Sequence, residues 1–215
     1  MGKSQLGVQE AQAMIIHISQ KMLESKDLLT QADKAIGDGD HGIGMARGFE
    51  AVLQKIEGQE FSSIDQLFKA VGMALMMSIG GAAGAIFGTL FRGMAKNQGG
   101  TTILDARHFS QMLLDGLQAV KNRGKSKPGD KTMVDALEPA ALESKNQISS
   151  PLDQALAAIA ESARLGMEST KEMVATTGKA KTLGERSLGH PDPGAISMSL
   201  LLKFMHEYTA VDGMP

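Results

Sequence analysis

Apolar residues recur at helical spacing along most of the chain. From Val8 to about Lys26, the positions Val8, Ala11, Ile15, Ile18 and Met22 share one face. A second stripe, Phe49, Val52, Leu53 and Ile56, ends at Gly58, a residue suited to the turn past a helix C-terminus. Ser62 or Ser63 can cap a third helix that turns Ile64, Leu67, Phe68, Val71 and Leu75 inward and stops at Gly80-Gly81-Ala82-Ala83-Gly84. The run Ala85 to Phe91 predicts a buried helix with a small-residue face. Asp105 caps another, carrying Phe109, Met112, Leu113, Leu117 and Val120, and a basic loop covers Lys121 to Gly129. Asp130 starts a helix with Met133, Leu137 and Ala141 on one side. Ser150-Pro151-Leu152-Asp153 combines a cap, a proline at the first helical position and an acid in the first turn. It opens a helix marked by Leu152, Leu156, Ile159, Ala163 and Met167. A polar loop, Thr176 to His190, leads through Pro191 to Gly194 into a last helix, Ala195 to about Tyr208. Seven or eight helices with short connections predict antiparallel neighbours around a single core. The fold class is all-α, and residues 1–215 are read as one domain.

Composition supports the helical reading. There are fifteen Met, seven Phe, one Tyr and no Trp, and Ala and Leu are abundant while β-branched runs are few. A chain of 215 residues buries about 70% of its unfolded surface, enough for a substantial core. The formal net charge of -2 gives no electrostatic case for nucleic acid or an anionic membrane as partner. The absence of cysteine excludes a disulfide framework and a zinc–thiolate site, and fits a reducing compartment. No signal-like run opens the chain and no stretch approaches 18 uninterrupted apolar residues, so a cytoplasmic protein is expected.

Chemistry concentrates between Asp33 and Gly44. Asp33, Asp38 and Asp40 fall within eight residues, separated by Gly37 and Gly39 and followed by His41 and Gly42. Crowded carboxylates repel one another unless a cation sits between them. Glycines allow tight turns and close approach of a ligand. The combination points to a hard divalent metal, Mg²⁺ holding phosphate oxygens, because Mg²⁺ takes a few carboxylates together with substrate phosphates. The helix that follows begins at about His41–Gly44, so its free N–H groups and positive dipole end favour phosphate.

Other motifs fail on their own terms. A calcium loop starting at Asp38 would need Gly and Glu where the chain has Ile43 and Phe49. Gly124-Lys125-Ser126 resembles the end of a P-loop, but Ala119 stands where glycine is required and no strand precedes it. There is no strand–helix alternation for a dinucleotide fold and no nucleophile elbow for a serine hydrolase. Any one aspartate here, taken alone, is explained by turn and cap chemistry. Gly80 to Gly84 is explained equally by close helix packing, Met133 by core packing, His17 by a structural or surface place, and Asp192-Pro193-Gly194 by a loop entering a helix.

Taken together the motifs resemble the nucleotide-binding (L) subunit family of dihydroxyacetone kinases. The matching pieces are Ala35 to Gly42, Gly80 to Gly84, Gly88-Thr89, Pro128 to Leu137, Leu183 to Ser187, Gly189-His190 and Asp192 to Ala195. The resemblance implies a barrel of eight antiparallel helices with ADP or ATP bound at one end. Asp33, Asp38 and Asp40 would hold two Mg²⁺ ions, and His41, Gly42, Ile43 and Gly44 would offer backbone N–H groups to the phosphates. Ala82 and Ala83 would meet the nucleotide, Gly124 and Met133 would border the adenine, and Asp192, Pro193 and Gly194 would close another wall. The family holds its carbonyl substrate on a histidine of a different subunit, so no catalytic nucleophile is assigned to this chain. The implied partners are that dihydroxyacetone-binding subunit and a phosphotransferase-system phosphoryl donor protein that uses PEP, with a homodimer among the expected assemblies. Two departures stand out: Ala83 where the family often has serine, and Lys179 where many members have arginine, a point charge replacing a bidentate fork. They leave open an ATP-dependent kinase subunit for another short keto sugar such as erythrulose. A regulatory module that reports nucleotide state to a transcription factor is the alternative of a different class.

Overall fold

The computed structural model describes residues 2–210. Nine α-helices account for most of them: α1 Val8–Glu24, α2 Lys26–Ile36, α3 His41–Ile56, α4 Ile64–Ser78, α5 Gly81–Met94, α6 Ala106–Gly124, α7 Val134–Asn146, α8 Leu152–Ser169 and α9 Pro193–Ala210. The only strands among the described residues are β1 Leu6–Gly7 and β2 Ile103–Leu104, paired antiparallel with Leu6 opposite Leu104. They tie the start of the chain to the α5–α6 connection.

Eight of the helices form a closed ring. Each packs on the next in the order α1, α3, α4, α5, α6, α7, α8, α9, and α9 closes back onto α1. The remaining helix, α2, lies against α3 and α9 outside that ring. The ring is filled by one continuous apolar cluster that includes Phe49, Phe68, Phe87, Phe91 and Phe109. The rings of Phe68 and Phe91 meet at 5.8 Å between centroids across α4 and α5. These two helices approach closely through glycine: a Cβ on Gly88 would stand 2.8 Å from the Gly72 carbonyl oxygen, and 2.5 Å from the Met76 Cβ. Any larger residue at either place would force them apart.

The all-helical barrel matches the reading of the sequence, but several boundaries move. The first apolar stripe is interrupted at Ser25, which ends α1 and starts α2. The short α2 buries only Leu29, Asp33 and Ile36, too few apolar positions to register as a separate stripe. Helix α5 begins at Gly81 and not at Ala85; Gly80 and Gly81 form the turn, with φ of 82° and 56°. Helix α7 begins at Val134 because Asp130 caps a turn instead, accepting from Lys127 N at 2.9 Å. Pro151 is the cap residue of α8, and the Ser150 hydroxyl donates to Gln147 Oε1 at 2.9 Å. The polar loop contains a 3₁₀ segment, Lys179–Ser187, which no periodicity announces.

Alternation around the ring decides what meets at each end. The starts of α3, α5, α7 and α9 and the ends of α2, α4 and α6 contribute residues to one cavity of about 840 Å³ at a single mouth. Three separate stretches rich in glycine and aspartate are thereby brought together.

Candidate functional site

The acidic stretch is shaped by the break between α2 and α3. Asp33 sits in the last turn of α2 and is 8% exposed, with its Oδ2 accepting from the His41 backbone N–H at 3.1 Å. Gly39, at φ 78°, turns the chain so that Asp38 and Asp40 come back beside Asp33. One carboxylate oxygen from each of Asp33, Asp38 and Asp40 lies within 4.8 Å of the others. Helix α3 then starts hard against α2. A Cβ on Gly42 would stand 2.3 Å from the Lys26 carbonyl oxygen and from Thr30 Oγ1, so only glycine permits this contact.

A side-chain cation completes the cluster. Lys179 Nζ donates to Asp40 Oδ2 at 3.0 Å and, by a shorter contact, to Asp38 Oδ2. The Lys179 hydrogen bond holds the Asp38 carboxyl below the usual carboxylate range, and the two aspartates raise the ammonium in return. All three side chains of this ion pair network are more than half exposed.

Two helix starts face the same space. At α3 the His41 N–H is taken by Asp33 and the Gly44 N–H by the Asp40 carbonyl at 2.9 Å, which leaves Gly42 and Ile43 with unpaired N–H groups. At α5 the Gly84 N–H bonds the Gly80 carbonyl at 3.0 Å, and those of Gly81, Ala82 and Ala83 are unpaired. Unpaired N–H groups and the dipole of each helix make both termini attractive to anions. Arg47 of α3 binds the turn before α5 from below, donating to the Ser78 and Ile79 carbonyls at 2.5 Å each.

The third wall is the start of α9. Asp192 caps it, accepting from Ala195 N at 2.8 Å. Burial pushes the Asp192 carboxyl up to about 7, with the negative charge of Asp135 adding to the push and the Ala195 hydrogen bond opposing it. His41 joins α3 to α9: its Nε2 lies 2.8 Å from Ser197 Oγ, and the Pro193 backbone carbonyl accepts from its ring. Burial lowers the His41 pKa, so the ring is neutral at pH 7.

Behind this wall stands Lys131, 2% exposed. Its Nζ donates to the carbonyls of Thr170 at 2.6 Å, Met173 at 3.1 Å and His190 at 2.6 Å, tying three segments together. Its own backbone adopts φ 59°, uncommon for a residue with a side chain. Next to it Asp135 accepts from Gly129 N at 2.6 Å and Thr132 N at 2.7 Å, which fixes the loop into α7. Lys131, Asp135 and Arg47 carried no role in the reading of the sequence. The signal for the first two lay inside Pro128 to Leu137, where an Asp five residues after an Asp marks a second backbone-capping carboxylate.

Of the residues singled out from sequence, Asp33, Asp40, His41, Ile43, Gly44, Ala82, Ala83, Gly124, Met133, Lys179, Asp192, Pro193 and Gly194 line the cavity. Asp38 stands beside it in the acidic cluster, and Gly42 faces α2 instead. The lining combines two chemistries: the acids, Lys179 and the helix starts, and the apolar residues Ile86, Phe87, Val120, Met133 and Val134 beside Gly124. Such a lining suits a ligand that carries both an anionic part and a flat apolar one.

The DAK2 domain model matches residues 35–207. The chain is 39% identical over 188 residues to the PEP-dependent dihydroxyacetone kinase 1, ADP-binding subunit DhaL, of Listeria innocua, covering 86% of this chain and 89% of that one. It is 40% identical over 184 residues to the corresponding ADP-binding subunit DhaL of Escherichia coli, covering 83% and 86%. A crystal structure of the dihydroxyacetone kinase from C. freundii in complex with AMP-PNP and Mg²⁺ superposes with a TM-score of 0.70 at 24% identity. That match covers 91% of this chain and 33% of the longer protein, so the chain spans about a third of it, and the likeness is one of fold.

Proposed function

This chain belongs to the DAK2 domain family, and on that premise we propose that it is the ADP-binding subunit of a PEP-dependent dihydroxyacetone kinase. The observation that carries the reading is the trio of carboxylates within 4.8 Å at the mouth of a cavity where two helix starts leave N–H groups unpaired. Residues 1–215 act as one nucleotide-binding domain in the cytoplasm. No helix among the described residues is long and apolar enough to cross a membrane.

The donor set fits a hard divalent ion. It is all carboxylate oxygen, and a cationic side chain already bridges two of the three groups. Asp33, Asp38 and Asp40 would hold two Mg²⁺ ions, which when bound offset charge on the transferred phosphoryl group. The remaining steps belong to side chains and backbone of this chain. Unpaired N–H groups at Ile43 and from Gly81 to Ala83 orient the phosphates, and Arg47 keeps the second of these turns in place. Gly124, Met133 and the apolar residues around them receive the base. Asp192, Pro193 and Gly194 wall off the remaining side. His41, neutral and tethered to α9, keeps the start of α3 aligned with Asp33.

Phosphoryl transfer relies on positioning and charge neutralisation more than on covalent help. This chain supplies both and no nucleophile. The hydroxyl to be phosphorylated is brought to the open mouth by a dihydroxyacetone-binding partner subunit. ADP held here is rephosphorylated in place by a phosphotransferase-system protein, and the subunit works as a homodimer. The test is the nucleotide and metal content of the purified chain, followed by reconstitution with the substrate subunit. Bound ADP with Mg²⁺, and turnover driven by PEP and not by free ATP, are expected. A chain that neither carries nor binds nucleotide overturns the reading.

A further inference from the structure

Lys179 reaches the acidic cluster from a distant part of the chain. Its ammonium donates to Asp38 Oδ2 and Asp40 Oδ2, two of the three carboxylates that stand within 4.8 Å of each other. The third, Asp33, is turned inward and held by the His41 N–H. A lysine ammonium is a compact point charge, and hydrogen-bonded to two carboxylates it fills the space a small divalent ion needs between the same oxygens. The other cations lining the cavity are placed differently. Arg47 is engaged by two carbonyls and Lys131 by three, while Arg123 lies next to Gly124 at the end of α6.

We propose that Lys179 and the divalent cation compete for Asp38 and Asp40, so that metal enters this site together with the nucleotide and not ahead of it. The proposal deepens the reading of the cluster as a metal–nucleotide site and rests on it. Charge accounts for the order of events. A divalent ion arriving alone must push Lys179 off both carboxylates and into water. A nucleotide arriving with the ion brings phosphate oxygens that accept the displaced ammonium, so neither cation is left without an anionic partner. The backbone around Lys179 is suited to such a transfer. It opens the 3₁₀ segment Lys179–Ser187, directly after Gly178 at φ 64°, and Gly184 at φ 56° breaks the helical geometry farther along. The segment can therefore redirect its first residue without disturbing the ring of helices.

The test uses Mn²⁺ as the probe, followed by the electron paramagnetic resonance signal of the free ion, with the full chain stripped of nucleotide. Wild type is expected to bind Mn²⁺ weakly alone and tightly once ADP is added. Lys179→Met is expected to bind Mn²⁺ without ADP about tenfold more tightly than wild type, since one cation no longer opposes another. Lys179→Gln gives the same gain, because Gln matches Met in length and likewise lacks the charge, while Lys179→Arg retains wild-type behaviour. Equal Mn²⁺ affinity of wild type and Lys179→Met without ADP, with ADP still enhancing both, overturns the competition and leaves the functional reading standing. A gain in the Met variant that the Gln variant lacks also overturns it. Failure of every variant to bind Mn²⁺, with ADP or without, overturns both.

Discussion

Two lysines face one cavity from different walls, and their surroundings give them different work. Lys131 is buried, and its ammonium is saturated by three neutral carbonyls from Thr170, Met173 and His190. Lys179 is 58% exposed and pairs with two carboxylates. Desolvation lowers the Lys131 pKa, although Asp192 and Asp135 pull it back up; hydrogen bonds to the acids raise that of Lys179. A buried cation cannot leave without stranding the groups it satisfies, whereas an exposed ion pair exchanges partners at little cost. Lys131 is a fixture of the wall, and Lys179 is the cation that can be traded for another.

The largest effect that could break this comparison comes from the buried side. Lys131→Met strands three carbonyls and removes the tie between the α7 loop and the chain before α9. A loss of about 4 kcal/mol in urea unfolding is expected. A loss under about 1 kcal/mol would mean that water replaces the ammonium freely, and the contrast between the two lysines would disappear. On the exposed side the matching experiment reads ligand affinity. Loss of a residue behind a metal ligand costs about 10- to 100-fold, so loss of a ligand costs at least about 100-fold. Asp40→Asn should weaken Mg-ADP binding by that much in calorimetry while the helical circular dichroism stays at the wild-type level. Retention of wild-type affinity would sink the assignment of the cluster.

That division between wall and exchange site also marks what could be read from the sequence. Stripes such as Ile64, Leu67, Phe68, Val71 and Leu75 disclose their helices because burial at each position is dictated by one period. The acids disclose their chemistry because three like charges in eight residues have few neutral explanations. Helix α2 stayed hidden because one of its three buried positions is itself an aspartate, Asp33, so apolar spacing missed it. Asp130 has the composition of a helix start, yet the helix waits until Val134, since its carboxylate is used by the Lys127 N–H. Lys131 was illegible for a different reason. Its partners are backbone carbonyls up to 59 residues away, and no side-chain pattern encodes them. Gly80 to Gly84 could have signified helix packing or a turn; the turn is at Gly80 and Gly81, and the close packing lies at Gly72 and Gly88.

Acidity sharpens the comparison on the buried side. Burial pushes the Asp192 carboxyl up to about 7 in the folded protein, against about 3.9 in an unfolded chain. With the folded value raised, the native state binds the extra proton between those limits. Asp192 therefore favours folding at low pH, and that contribution is lost as pH rises through 7. Relative to Asp192→Asn, which keeps an acceptor for the Ala195 N–H without a charge, wild type should lose about 2 kcal/mol of stability between pH 5 and pH 7. Parallel pH profiles for the two proteins would show that the wall around Lys131 is wetter than its burial implies.

The smallest effect is expected where the two lysines are compared directly. Lys179→Met removes an exposed cation from two of the three clustered carboxylates, so the destabilisation comes from their mutual repulsion and not from unsatisfied groups. Exposed pairs contribute little, and the thermal midpoint without ligand should fall by at most about 3 °C. The sources of the two losses can be told apart by salt. Repulsion between exposed charges is screened over about 10 Å at 0.1 M salt, so the Lys179→Met deficit should shrink on adding KCl, while the Lys131→Met deficit should not. Mg²⁺ without nucleotide should restore the Lys179→Met midpoint, because the carboxylates accept the ion in place of the ammonium. A Lys179→Met deficit as large as that of Lys131→Met, and indifferent to salt, would mean that Lys179 is another strut of the wall and has no exchange to make.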